Sequence, residues 1–428
     1  MKILMVIALL LLLCSASAWT PNGDEQCTAL VATSAATVDG ASLLWKNRDT
    51  DALSNKVVFV EEQPYSYLAL VNADPGNGRL AWAAVNTAGF AISNTVTTNL
   101  PPPAGLLSAS TAPSAGASSA RPASAGGDPS IIMADAARTC ATVEDFERFL
   151  TRNLGRDVGA RTNFLTIDAH GGASIFEIHI DGFKRFNAAD TAEKYLGLTN
   201  FSRSGTTDEG FGYLRFDSET LLLKEAPGGR LSVEYVLQVM ARDIGHPLLH
   251  NPGRAAWRNL PADTPVWLHT NHTINNSSTA SAIVIRSVKP GEDPKGTTMW
   301  VMLGEPLTSI AVPLWVAAGA PPPELWEGKD SALSKESARL KNVLRPLKTA
   351  ERRDYVDVTR LDNAAGTGWL ATTLAAEREN LQQVEELLKR NPSASELAAF
   401  EKTAASRTLA VLQKIAVATA GAKTGNSQ

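Results

Sequence analysis

The sequence predicts an α+β protein, and three observations carry that reading. Short runs of β-patterned residues come in pairs joined by Gly- or Asn-containing turns. Amphipathic helical blocks separate those pairs instead of alternating with every strand, which argues for antiparallel sheets and segregated helices. From about Asp354 the spacing is helical only: Leu370, Leu374, Leu381, Val384 and Leu388 recur at 3.6-residue periodicity.

The chain begins "MKILMVIALLLLLCSASAWT", one Lys before an apolar run that ends in Ala16-Ser17-Ala18. That is the pattern of a signal peptide over residues 1–18 with a small-x-small cleavage site. A lipoprotein anchor on Cys14 would call for small residues before it, where leucines stand. No later stretch is long and apolar enough to span a bilayer. The expectation is therefore an exported chain, secreted or periplasmic. Residues 19–26, "WTPNGDEQ", read as a short propeptide.

From Cys27 the β pattern starts. "CTALVATSAAT" and "ASLLWKNRD" flank Asp39-Gly40, a hairpin signal. Strands follow at 56–62, 66–72, 79–86 and 89–96. Residues 101–128 are rich in Pro, Ser, Ala and Gly and predict a loop. Residues 129–154 predict two helices with a new start at Thr142, and Cys140 among small apolar residues reads as a buried structural thiol. "NFLTIDAHGGASIFEIHI" predicts a hairpin turning at 170–172, with Asn163 and Asp168 shaping it. A strand end at 195–201, helices at 213–225 and 232–244, and a strand pair within 281–306 complete the body. Asn391-Pro392 divides the tail into a helical hairpin whose second arm begins near Ser395. The expected division is one domain over 27–350 and a helical extension over 351–428 packed on it.

Composition removes some functions. The net charge is −4 and no dense Lys/Arg patch occurs, so nucleic acid is not an expected partner. There is no G-x-S-x-G, H-E-x-x-H, C-x-x-C, P-loop or G-x-G-x-x-G. His269 and His272 in "HTNHT" read as loop or cap residues, and neither a metal nor another cofactor is expected.

Cys27 is the residue that draws attention. Paired with Cys140, it would form the one disulfide an exported chain with two remaining cysteines can make. Cut between Gln26 and Cys27, the chain instead places an α-amine on the residue that carries the thiol. That amine titrates at about 7.7–8.0 and can take the thiol proton without any histidine.

"CTALVATSAATVDGASLLWKNRDTD" resembles the N-terminal signature of the N-terminal-nucleophile (Ntn) cysteine hydrolases. This group includes the linear amide C–N hydrolases, choloylglycine hydrolases and penicillin V acylases. The acyl-coenzyme A:6-aminopenicillanate acyltransferases are related. Further stretches match in order over residues 27–316: "VNTAGFAISNT" with Asn94, "NFLTIDAHGGASIFE", "LTNF" with Asn200, "YLRFDSETLLLK" with Arg215, and "TTMWVMLGEPLTSIAVPLW". The resemblance implies a four-layer αββα sandwich and hydrolysis of a linear amide, in a small molecule or short peptide, through a Cys27 thioester. It implies Cys27 as nucleophile, Asp49 as the acid that orients it, and Asn94 and Asn200 as oxyanion donors. Arg215 would grip Asp49 or a substrate carboxylate. Lys46 stands where an arginine is usual, and Arg48 is the alternative for facing substrate. Acyl transfer to an amine, a binding protein on the same fold, and a cysteine–histidine peptidase stay as alternatives; oligomeric state, a homo-oligomer included, is open.

Overall fold

The computed structural model describes residues 26–73, 81–100, 128–153, 161–179, 182–349 and 352–424. The expected signal peptide, nearly all of the propeptide, Cys14 and the loop at 101–127 lie outside the described residues.

Alternation of apolar side chains builds two antiparallel sheets. Strands β1 (Gln26–Ala32), β2 (Leu43–Asp49), β10 (Tyr195–Leu198), β12 (Thr279–Arg286), β13 (Thr298–Leu303) and β14 (Val312–Leu314) form one, in the order β10-β1-β2-β12-β13-β14. The other runs in sequence order through β3 (Asn55–Val60), β4 (Tyr67–Asn72), β5 (Ala83–Asn86), β6 (Ala91–Val96), β7 (Thr162–Ile167), β8 (Ala173–Ile178) and β9 (Phe183–Asn187). Ala29, Val31, Leu44 and Ile283 from the first sheet meet Leu68, Val85, Leu165 and Ile175 from the second in one core. The alternate residues point outward. Ile92, Phe164 and Phe176 of the second sheet pack under α1 (Pro129–Thr139) and α2 (Val143–Asn153), where Phe146 is buried edge-on against both phenylalanines. Leu30, Trp45, Val284 and Trp300 of the first sheet pack under Leu223 of α3 (Tyr213–Lys224), a helical stretch at Val236–Met240, and the C-terminal helices. Helix, sheet, sheet, helix is therefore the layer order, as expected.

The tail ends in the expected helical hairpin, but it opens with a short strand and a 3-10 turn over 355–360 where only helical spacing was expected. After α4 (Ala332–Leu344), helix α5 (Leu370–Leu388) is followed by α6 (Ala394–Thr424). Ser393 and Glu396 exchange side-chain to backbone hydrogen bonds, a capping box that starts α6. A two-stranded ribbon, β11 (Trp267–His269) with β15 (Tyr355–Asp357), joins the tail to the body across residue 350.

The first hairpin differs from expectation in its link, whereas the two cysteines stay apart and buried as thiols. The β1–β2 link is longer than a two-residue hairpin, because Ser34–Ala36 form a 3-10 turn and Val38 N–H bonds Leu231 O instead of a strand neighbour. No disulfide joins Cys27 to Cys140: the first lies on β1, the second at the end of α1 in the outer helical layer, with burial pushing its thiol up to about 12. None of the described helices is long and apolar enough to cross a membrane.

Candidate active site

Cys27 is the second residue of β1 and is fully buried. In the β1–β2 ladder it stands opposite Arg48, and Gln26 stands opposite Asp49. Period-two alternation puts Cys27 on the inter-sheet face with Ala29 and Val31, and puts Lys46 and Arg48 on that face with Leu44. Thr28 and Asp49 take the outer face.

Two buried side chains, Asn200 and Arg215, hold the backbone of Cys27. Its N–H donates to Asn200 Oδ1 at 2.9 Å. Arg215 Nη2 donates to the same Oδ1 at 2.7 Å, while Nη1 donates to Cys27 O and to Thr28 Oγ1. Helix α3 delivers Arg215 from just past Gly212, which holds a φ of 88°. A Cβ at Gly212 would sit 2.7 Å from Arg215 Nη2, so only glycine leaves the fork this position. Asn200 follows β10, the strand beside β1. Its Nδ2 donates to Val96 O at 2.8 Å, and the amide meets the Cys27 N–H through its oxygen.

Asp49 accepts from Asn276 Nδ2 and from Thr279 Oγ1, each at 2.7 Å. A bulge in β12 between Thr279 and Ser281 aims Thr279 at it. Burial pushes the Asp49 carboxyl up to about 6; Arg215 and the two hydrogen bonds pull the other way. The expected grip of Arg215 on Asp49 is not made. Both terminal nitrogens are committed to Cys27, Thr28 and Asn200, and the Arg215–Asp49 relation is charge alone.

Lys46 reaches the second sheet. Its Nζ donates to Asn94 Oδ1 at 2.8 Å and to Trp82 O at 3.2 Å. With its oxygen so held, the buried Nδ2 of Asn94 has no hydrogen-bond partner among the described residues. An unsatisfied buried donor costs about 1–3 kcal/mol, which an acceptor arriving there would relieve. Arg48 donates Nη1 to Asn55 and Asn72 and lies 4.4 Å over the Trp82 ring. Both cations are buried and tied to side chains of the second sheet.

The sequence did not point to Asn276, Thr279, Trp82 or Glu219. Glu219 lies four residues after Arg215 on α3, a spacing that could have flagged it. It is fully buried, and burial drives its carboxyl well above the usual range against the pull of Arg203, Arg215 and the Leu198 N–H. Asn276 and Thr279 are over 220 residues from Asp49, and nothing local marks them. A cavity of about 810 Å³ lies elsewhere. Asp39, Arg286, Trp300 and Leu388 are among its lining residues, and no candidate catalytic side chain lines it. Its size alone is no reason to move the site.

No family model matches the chain, and no curated protein does. Among solved structures, a mutant conjugated bile acid hydrolase from Clostridium perfringens aligns at 8% identity and a TM-score of 0.38, over 65% of this chain and 89% of that one. An N-acylethanolamine-hydrolyzing acid amidase ortholog from Caenorhabditis elegans aligns at 13% and 0.38, over 63% and 95%. A penicillin V acylase from Agrobacterium tumefaciens aligns at 18% and 0.37, over 68% and 86%.

Proposed function

We propose that this chain is an exported amidohydrolase, activated by cleavage of its own Gln26–Cys27 bond, that cleaves a linear amide through a Cys27 thioester. The observation that supports this most directly is the hold on the main chain of Cys27. Asn200 and Arg215 hold the backbone N–H and carbonyl of Cys27. A residue due to become a chain terminus needs its main chain held, and Asn200 Oδ1 already accepts where the new α-ammonium would donate.

In the reaction the α-amine takes the thiol proton and Sγ attacks the amide carbon. The carbonyl oxygen gains the charge, and Asn94 Nδ2, the buried donor in want of an acceptor, is placed to bind it. The intermediate collapses as the α-ammonium gives its proton to the departing amine, leaving an acyl thioester on Cys27. Water, deprotonated by the same amine, releases the acid and restores the thiol. Asp49 balances the Arg215 charge beneath the Cys27 backbone. No cofactor enters. An amine in place of water would turn the same cycle into acyl transfer, and a chain that is never cut would be a binding protein.

N-terminal sequencing and intact mass of the exported protein decide this. The expected mature chain starts at Cys27 and takes one carbamidomethyl group from iodoacetamide at that residue, and Cys27→Ser abolishes turnover. A panel of penicillin V, bile-acid amides, acyl-homoserine lactones and short peptides then sorts the substrate. Full amide turnover by a chain that still carries Gln26 would refute the mechanism.

A further inference from the structure

Helix α4 belongs to none of the motifs that mark the site, yet one of its side chains ends next to Asp49. Lys341, 14% exposed at its side chain, donates Nζ to Thr279 O at 3.1 Å. Thr279 in turn donates Oγ1 to Asp49 Oδ1 at 2.7 Å. One residue therefore links the ammonium to the carboxylate, at the bulge where β12 leaves β2. On its other side Lys341 faces Glu305 Oε2 at 3.5 Å. Glu305 does not depend on it: Arg345 donates Nε and Nη2 to that carboxylate, and Asn275 adds a bond at 2.7 Å. The shorter contact of Lys341 is to the strand beside Asp49.

The charges around this group are few. Asp49 faces Arg215 from α3 and Lys341 from α4. Lys341 faces Glu305, Arg345 and Asp49. Arg215 faces Asp49, Cys27 and Glu219, and the loop residue His272. Lys341 is thus the second cation of Asp49. It is also the one whose hydrogen bond fixes the strand end that carries Thr279.

We propose that Lys341 is a positioning residue: it anchors Thr279 and, with Arg215, keeps Asp49 an anion in place during the Cys27 reaction. This rests on the reading of Cys27 given above. The test uses mature enzyme and the rate of Cys27 alkylation by iodoacetamide, followed by mass across about pH 4.5–8.5, a range that brackets carboxylate and amine titration. Lys341→Gln is expected to move the acid limb of that profile upward by about half a unit, near threefold slower alkylation below the limb. Lys341→Arg keeps the wild-type limb. Glu305→Gln, which leaves Lys341 less neutralised, moves it downward.

A folded Lys341→Gln enzyme whose limb coincides with wild type overturns the assignment, as does Lys341→Arg shifting equally far. Should Lys341→Gln fail to fold, an unmoved limb in Glu305→Gln overturns it. A wild type that retains Gln26 defeats the reading of Cys27 and this assignment with it. A processed wild type with unmoved variants defeats this assignment alone.

Discussion

Asn200 accepts the backbone N–H of Cys27 on the same side-chain oxygen that accepts Arg215 Nη2. One oxygen thus couples the position proposed to become the N-terminus to a fully buried guanidinium. Asn200→Ala removes that acceptor and leaves the α-amine unheld. Processing at Gln26–Cys27 is expected to slow, and kcat of whatever mature enzyme forms to fall about 100-fold, the usual cost of a reacting group displaced by an ångström. Time-resolved intact mass and steady-state kinetics check both; wild-type rates would mean that the contact is incidental.

Gly212→Ala tests how the fork is placed. The substitution forces a left-handed residue to carry a Cβ, at about 1–2 kcal/mol, and puts that carbon against Arg215 Nη2 and Thr199 Oγ1. The expected outcome is a modest loss in urea stability together with slow self-cleavage. Loss of stability with normal cleavage would show that Arg215 keeps its place without the glycine.

Lys46→Met separates two roles for the buried ammonium. If Lys46 serves by holding Asn94 Oδ1, the freed amide loses its aim, kcat drops at least about tenfold, and KM barely moves. If the ammonium binds substrate, KM carries the loss. The kcat–KM split on any amide the wild type turns over is the measurement, and the 2.8 Å contact to Asn94 favours the first result.

Glu401 on α6 gives a pH signature of the fold independent of the site. It is 1% exposed and accepts from Trp315 N–H, and burial raises its carboxyl to about 8. The folded chain then keeps a proton that the unfolded chain releases near pH 4.3, so stability falls as pH rises between about 4.3 and 8, by about 5 kcal/mol. Glu401→Gln keeps the acceptor and removes the titration. Thermal melts from pH 5 to pH 8.5, a range chosen to span most of that window, are expected to show a smaller decline in the variant than in the wild type.

What could be read without coordinates follows how local each signal is. Cys27, Asn200 and Arg215 each sit in a short ordered motif, and the fold brings all three together through two hydrogen bonds on one oxygen. Their roles were less legible. Whether the Asn200 amide presents its oxygen or its nitrogen depends on Val96 O, more than a hundred residues away. Arg48 was an alternative to Lys46 because it lies two residues away in the same motif; in the fold Asn55, Asn72 and Trp82 hold it, and Asn94 holds Lys46. The paired strands and the tail helices were found because each is long and periodic. Strands β14 and β15 span three residues each, too few for a period to show. Helix α4 was missed because Leu333, Leu340 and Leu344 are its only buried large apolar residues, with serines between them.

The ribbon of β11 and β15 has a consequence for anyone who would shorten this protein. Its three residue pairs zip Trp267–His269 to Tyr355–Asp357, and Leu268 and Val356 sit in the same core as the inner faces of both sheets. A stop codon near position 350 would therefore not trim an appendage. It would bare the edge of β11 and open the interior to solvent, so truncates made to map the catalytic region should aggregate before they inform.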